Sequence, residues 1–346
     1  MDAEARPRAR LSWRRCALFS KPLARCSVGR IRAVVVTNPG PAENLELAEL
    51  ADPTPRSGHV VVRVGATGVN PIDASNRADP SWAGIEPPYV VGYEFAGWIE
   101  EVGDEVIGVS AGDAVWGLCP VRGIRWGTYA EYVELNAGWI GRRPGSLSVV
   151  EAAAVPLTGS TALQLLDRLA LESGQSVLVH GAGGGVGRMF VQLAHARGIR
   201  VAAAARQHRH PLLHDLGIEL VLDREQDDVM MSAVDRLGCR FDAIADLAGH
   251  GVLATSLPGL RDGGSAGSIV ELRGDLDDVI DRNVRLHGVL VRPDRGTLDR
   301  LAKAVDAGVL RSVVDEVVEP NSIVETHRAL ETTAGATATD GEAMFH

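Results

Sequence analysis

The stretch Leu178–Phe190, LVHGAGGGVGRMF, places five glycines in the seven positions from Gly181 to Gly187 and then turns abruptly into bulky apolar residues. Before it, Ser176–His180 is a short apolar run suited to a strand buried on both faces. After it, Val186, Phe190, Leu193 and Ala194 recur at helical spacing, and Gly198 is placed to close that helix. Arg200–Ala205 reads as the next strand. Within this strand–turn–helix the register that fits is Ala182-x-Gly184-x-x-Gly187. Bare backbone at Gly184 admits a pyrophosphate, and Gly187 lets the helix approach the strand. The N–H groups of Gly185 and Val186, at the helix start, then meet the phosphates with the positive end of the helix dipole. A dinucleotide cradle is the expectation.

The second strand narrows the choice of dinucleotide. NAD calls for an acidic residue at its end, about twenty residues beyond the glycines, to bind the ribose 2′-hydroxyl. The chain offers AAAARQHRH (202–210), with no acid before Asp215 and with Arg206 and Arg209 in its place. A guanidinium pairs with a 2′-phosphate where a carboxylate would repel it, so NADPH is expected, with Arg206 the first candidate. The competing reading makes both arginines ordinary solvated surface.

Outward from this motif the chain divides. At 346 residues it suits two domains, and 45 % apolar with 23 % charged residues is an ordinary globular balance. A net charge of −10 argues against nucleic acid as a partner, and no apolar run is long enough for a membrane span. Cys16, Cys26, Cys119 and Cys239 stand far apart, which favours free thiols in a reducing, cytoplasmic setting over disulfides or a zinc knuckle. Residues 1–30 carry seven arginines and one lysine against two acids. That segment reads either as a transit peptide or, more simply, as a disordered extension or an upstream translation start. From Ile31 to about Val150 short β-branched runs alternate with Gly, Pro and Asp, the pattern of a small β-rich barrel in which GVNPIDA is a loop. Beyond Val150 strands alternate with helices, which implies a parallel sheet. HPLLHDLG, TLDRLAKAVDAGVL and SIVETHRALETT are expected to be helical, Ser268–Val270 a strand, and EAMFH a last strand.

The combination of GVNPIDASNR (68–77), VVGYEFAGWIEEVG (90–103), AGDAVWG (111–117), GTYAEYV (127–133), PLTGSTAL (156–163) and HGAGGGVG resembles the medium-chain dehydrogenase/reductase superfamily, nearest its zinc-free quinone oxidoreductase branch. The resemblance implies an α/β chain: a GroES-like barrel at 31–155, a Rossmann NADP-binding domain at 156–291 and a return to the first domain at 292–346. Zinc-dependent members place a cysteine at the position of Asn70 and a histidine at that of Tyr93, and this chain has neither. Asp73 and Glu94 alone do not make the three-ligand set of a catalytic zinc.

Without a Lewis acid, the expected substrate is a quinone or an α,β-unsaturated carbonyl compound, whose extended π system spreads the developing charge over several atoms. Asn70 is the candidate for orienting a carbonyl or the nicotinamide ribose, Tyr93 for proton or hydrogen-bond donation, and Asp73 for locking the loop more than for acting as a base. Thr158 and Thr161 are candidate contacts at the nicotinamide end, with Ser268 and Val270 on its wall; helix capping is the plainer role for the threonines. Related quinone reductases often carry a tyrosine shortly after the Asp, where this chain has Ser75, and a lysine where it has Glu342. A homodimer is implied, with NVRLHGVLV (283–291) as the strand pairing across a two-fold axis. A non-catalytic NADPH-binding scaffold or sensor, and a reductase of enoyl thioesters, are the alternatives.

Overall fold

The computed structural model describes residues 15–18, 29–225 and 228–333. The strands of the first half are β1 (Arg15–Leu18), β2 (Arg30–Val36), β3 (Leu45–Ala51), β4 (His59–Val69), β5 (Tyr89–Val90), β6 (Glu94–Val102), β7 (Ala114–Leu118), β8 (Tyr132–Asn136) and β9 (Ile140–Arg142), with helix α1 (Pro71–Ala78) after β4. Two helices, α2 (Val149–Ala153) and α3 (Pro156–Leu169), lead out of this region. The second half runs β10 (Ser176–His180), α4 (Gly185–Ala196), β11 (Arg200–Ala205), α5 (His210–Asp215), β12 (Leu220–Asp223), α6 (Val229–Leu237), β13 (Phe241–Asp246), α7 (Val252–Ser256), β14 (Leu260–Ser268), α8 (Asp277–Asp281) and β15 (Arg285–Gly288). The chain then returns through α9 (Arg295–Asp306), β16 (Glu316–Val318) and α10 (Ile323–Thr333) to the first half.

Eleven residues make β4 the axis of the barrel. β6 pairs along one of its edges; on the other, β8 covers His59–Arg63 and β1 covers Ala66–Val69. The disorder expected across 1–30 therefore fails at Arg15–Leu18. An open strand edge leaves N–H and C=O groups unpaired, and β1 satisfies those of Ala66–Val69 while pairing with β16 on its far side. A three-stranded sheet, β3-β2-β5, packs beside this seven-stranded one.

The second sheet is wholly parallel, in the order β12-β11-β10-β13-β14-β15. Counted from β10 this is 3-2-1-4-5-6, the doubly wound arrangement whose strand order reverses between the first and fourth strands. Its inner strands are continuous buried apolar runs, as a sheet covered by helices on both faces requires. One apolar cluster runs from Ala66, Ala96 and Trp116 of the barrel through Leu163 and Leu166 of α3 to Phe190 of α4 and Val177 and Ala203 of the parallel sheet. The helix α3 thus joins both halves.

Two expectations need correction. GVNPIDA is no loop beyond Asn70: Pro at the first helical position and Asp73 in the first turn start α1, so Asn70 is a helix N-cap. The strand expected at Ser268–Val270 ends where it was thought to begin, because β14 stops at Ser268 and the Ser268 hydroxyl turns back to the following backbone N–H groups. EAMFH and Glu342 lie outside the described residues. No helix among the described residues is long and apolar enough to cross a membrane.

Candidate active site

The glycine turn sits at the carboxyl end of β10, beside the point of strand reversal. Gly181 has φ +75°, a left-handed conformation that favours glycine. A Cβ on Gly187 would lie 2.4 Å from the Gly181 carbonyl oxygen and 2.6 Å from the Ala182 backbone, so α4 packs on the turn with no side chain between them. At Gly184, the N-cap, the nearest atom to such a Cβ is 3.3 Å away. Gly187 serves close packing, while Gly184 keeps its backbone partly exposed at the head of α4. This bare cradle suits a pyrophosphate.

The arginines are arranged in an order the sequence did not reveal. Arg209 packs its stem on Gly183, whose imagined Cβ would be 2.9 Å from the Arg209 Cβ and Cγ. Its side chain is 12 % exposed, yet Nε and Nη2 are buried without a partner. Burial and the neighbouring Arg188 charge hold its guanidinium below the usual arginine range. Arg206 lies further out and faces Glu225 at 3.6 Å. Arg188, in the first turn of α4, is fully buried; its Nε donates to the Gly183 carbonyl at 3.1 Å and its Nη2 to Asp315 at 2.7 Å.

Along the crevice floor His180, Asp246 and Ser268 stand in register at the ends of β10, β13 and β14. Asp246 accepts the Ala248 and Gly249 N–H groups at 2.9 and 2.8 Å, and the Ser268 hydroxyl donates to its other oxygen at 3.0 Å. Ser268 accepts in turn from the Val270 and Glu271 N–H groups at 3.1 and 3.2 Å. Ser268 thus shapes the wall, and Val270, a third exposed, presents apolar surface. His180 bonds Ser256 at 2.8 Å, and burial pulls its imidazole down to about 4.

On the barrel side Asn70 is 8 % exposed. Its backbone N–H donates to Asp73 Oδ2 at 2.6 Å and its Nδ2 to Glu94 Oε1 at 2.8 Å. Asp73 has no exposed surface and also accepts from the Tyr129 hydroxyl at 3.1 Å. Burial, joined by the charge of Glu94, raises its carboxyl from 3.8 to about 8. Asp73 holds the start of α1 through the Asn70 backbone N–H and the Tyr129 hydroxyl, and Arg77 is buried against Glu331. Tyr93 is fully buried, and its hydroxyl oxygen accepts from Asn76 Nδ2 at 2.6 Å. Thr158 and Thr161 donate to the carbonyls of Ala154 and Leu157, at 3.1 and 2.7 Å, along the buried face of α3.

Sequence reasoning missed the part played by Glu94, Arg188 and Asp315. Charged side chains in otherwise apolar runs were the available signal for the first two. Among the described residues no group of three His, Cys, Asp or Glu side chains comes together in a way that could hold a metal ion.

Comparison with known proteins matches residues 56–145 to the alcohol dehydrogenase GroES-like domain and residues 216–336 to the zinc-binding dehydrogenase family. The chain is 31 % identical over 315 residues to a 2-methylene-furan-3-one reductase of Solanum lycopersicum, covering 86 % of this chain and 77 % of that one. It is 28 % identical over 315 residues to an NADPH-dependent alkenal/one oxidoreductase of Arabidopsis thaliana, covering 86 % and 78 %. The solved quinone oxidoreductase of Coxiella burnetii superposes with a TM-score of 0.80 at 28 % identity, over 88 % of this chain and 96 % of that one.

Proposed function

The chain belongs to the medium-chain dehydrogenase/reductase superfamily, in its quinone oxidoreductase-like branch, and from that premise we propose that it is an NADPH-dependent reductase of quinones or α,β-unsaturated carbonyl compounds that works without zinc. The observation that carries the cofactor reading is Arg209, whose two unpartnered buried nitrogens sit beside a glycine turn open at Gly184. A 2′-phosphate is the ligand that such a pair of donors beside a dinucleotide cradle would take, with Arg206 assisting from further out. NADPH, when bound, supplies the hydride.

The protein's own residues supply position and polarity. The turn at Gly184–Gly187 and the α4 N-terminus hold the pyrophosphate, and Val270 lines the wall reached from β14. Asn70 donates an amide N–H to the acceptor carbonyl; its amide does not titrate, and through Glu94 it is tied to the start of α3, which joins the two halves. Asp73 and Glu94 both have hydrogen-bond partners and are buried, so they act as anchors of Asn70 in place of metal ligands. An acceptor conjugated over several atoms needs no stronger electrophile. In solution we expect a homodimer formed at β15, the outermost strand of the parallel sheet, in the cytoplasm or a similarly reducing compartment.

Purified protein should bind NADPH more tightly than NADH and oxidise it with simple quinones or enones, unaffected by a chelator. Oxidation with crotonyl thioesters alone would redirect the substrate class. NADPH binding without turnover on any acceptor would leave a scaffold or sensor, and loss of activity with release of stoichiometric zinc would overturn the metal-free reading.

A further inference from the structure

Glu94 opens β6 inside the barrel wall and is 2 % exposed. A buried carboxylate costs several kcal/mol unless its oxygens are satisfied. Here they are, by groups from two different parts of the molecule. Oε1 accepts from the Asn70 Nδ2 at 2.8 Å, and Oε2 accepts from the Leu157 backbone N–H at 2.8 Å. Leu157 is the second residue of α3, so its N–H is one that the helix itself leaves unpaired, and the helix dipole favours a negative charge there. Thr67 and Thr128 hydroxyls fix the Glu94 main chain from below, donating to its carbonyl at 2.7 and 3.2 Å. Gly68 shows how closely the carboxylate is held: a Cβ there would stand 2.1 Å from Oε1.

A terminal amide rotates in a broad well, and its oxygen and nitrogen are nearly the same size, so packing alone does not choose which points where. A carboxylate does choose, because it only accepts. We propose that Glu94 is a positioning residue: it sets the direction of the Asn70 amide against the N-terminus of α3, so that the second N–H of that amide is the one offered to the acceptor carbonyl. The helix it anchors packs against α4, whose N-terminus forms the cofactor cradle. Donor and cradle are thereby held in one frame across the two halves. The inference rests on the hydride-transfer reading of the cleft.

Glu94→Gln keeps the volume and removes the discrimination. The Asn70 and Leu157 N–H groups reach different oxygens of Glu94, so the single amide oxygen of glutamine stands before only one of them and its NH2 group faces the other. Only the Asp73 backbone N–H of the capping box then opposes a turn of the Asn70 oxygen inward. Misdirecting one donor aimed at developing charge lowers kcat by about tenfold to hundredfold, with KM and NADPH affinity changed less than about threefold. Asn70→Ala should lose a similar factor, and the double variant no more than Asn70→Ala alone, because both changes remove the same interaction.

NADPH titration of each variant separates the two levels. If the wild type neither binds NADPH nor reduces an acceptor, the functional reading fails. If the wild type is active and Glu94→Gln stays within about threefold of its kcat, or if the losses multiply in the double variant, the positioning role fails alone. Should Glu94→Gln not fold, the wild-type protein labelled with [15N]asparagine decides. One Asn70 side-chain proton, assigned by its disappearance in Asn70→Ala, should lie downfield and exchange slowly; two equivalent, fast-exchanging protons would overturn the proposal.

Discussion

Asp73 keeps its proton in the folded chain where an exposed aspartate would lose it. Burial and the adjoining Glu94 charge put its carboxyl at about 8 against 3.8 when unfolded. Its contribution to stability is therefore complete below about 3.8 and is lost as pH rises towards 8, because only the unfolded carboxyl releases a proton over that interval. Asp73→Asn should gain on the wild type in thermal midpoint between those limits, since asparagine still accepts the Asn70 N–H. A gap independent of pH would refute the assignment. His180 and His327 act in the opposite sense. Burial holds them at about 4 and about 3, so both fold neutral, and their contribution is full above 6.5 and is lost as pH falls. Replacing His327 by glutamine should reduce the acid sensitivity of unfolding, measured as the change in midpoint between neutral pH and pH about 4.

The β10–turn–α4 element carries the cofactor argument, and its two kinds of glycine make different predictions. Gly187→Ala drives a methyl into backbone atoms of Gly181 and Ala182, none of which can swing aside, so the turn must open. A loss of about 1–3 kcal/mol in stability and of most NADPH affinity is expected, measured by denaturant unfolding and by fluorescence titration. Arg209→Ala leaves the turn intact and removes donors to the 2′-phosphate. NADPH affinity should fall by about tenfold to hundredfold with NADH affinity nearly unchanged, whereas Arg206→Ala should have the smaller effect of the two. The reverse ranking would return Arg206 to first place. The sequence named both arginines from their position after β11. It made Arg206 the first candidate, and the packing of the Arg209 stem on Gly183 supports the opposite ranking.

Across the whole molecule the two halves are tied by α3, by the apolar cluster around it and by the ion pair Arg188–Asp315, which joins the cofactor helix to the returning chain just before β16. Arg188 is fully buried and Asp315 is 15 % exposed. Asp315 also faces Arg209 Nη1 at 3.8 Å, so Asp315→Ala strands two charges and should cost about 3–5 kcal/mol, with Arg188→Met/Asp315→Leu less damaging because it strands Arg209 alone. Equal losses would show that the pair contributes through its attraction and not through its burial. At the same scale, β15 leaves one edge of the parallel sheet unpaired among the described residues, and Leu290 beside it is 48 % exposed. A monomeric mass in light scattering would exclude the dimer expected there.

The amino-acid sequence by itself determined the β-rich first half, the parallel sheet of the second half and the strand–glycine turn–helix from β10 to α4. Each of these follows from local periodicity and from glycines whose missing side chains are visible in a string of letters. It also marked Asn70 as the polar residue to watch, without showing that proline and Asp73 begin a helix there. Whether a hydroxyl, amide or guanidinium faces a ligand or a neighbour was decided only by tertiary structure. Tyr93 is one case: the closed barrel buries it fully and sets Asn76 Nδ2 against its hydroxyl oxygen. Glu94 meets Asn70 across 24 residues of chain and Leu157 across 63, and Arg188 meets Asp315 across 127. No periodicity encodes such pairings, because they arise where separate strands and helices happen to be brought side by side.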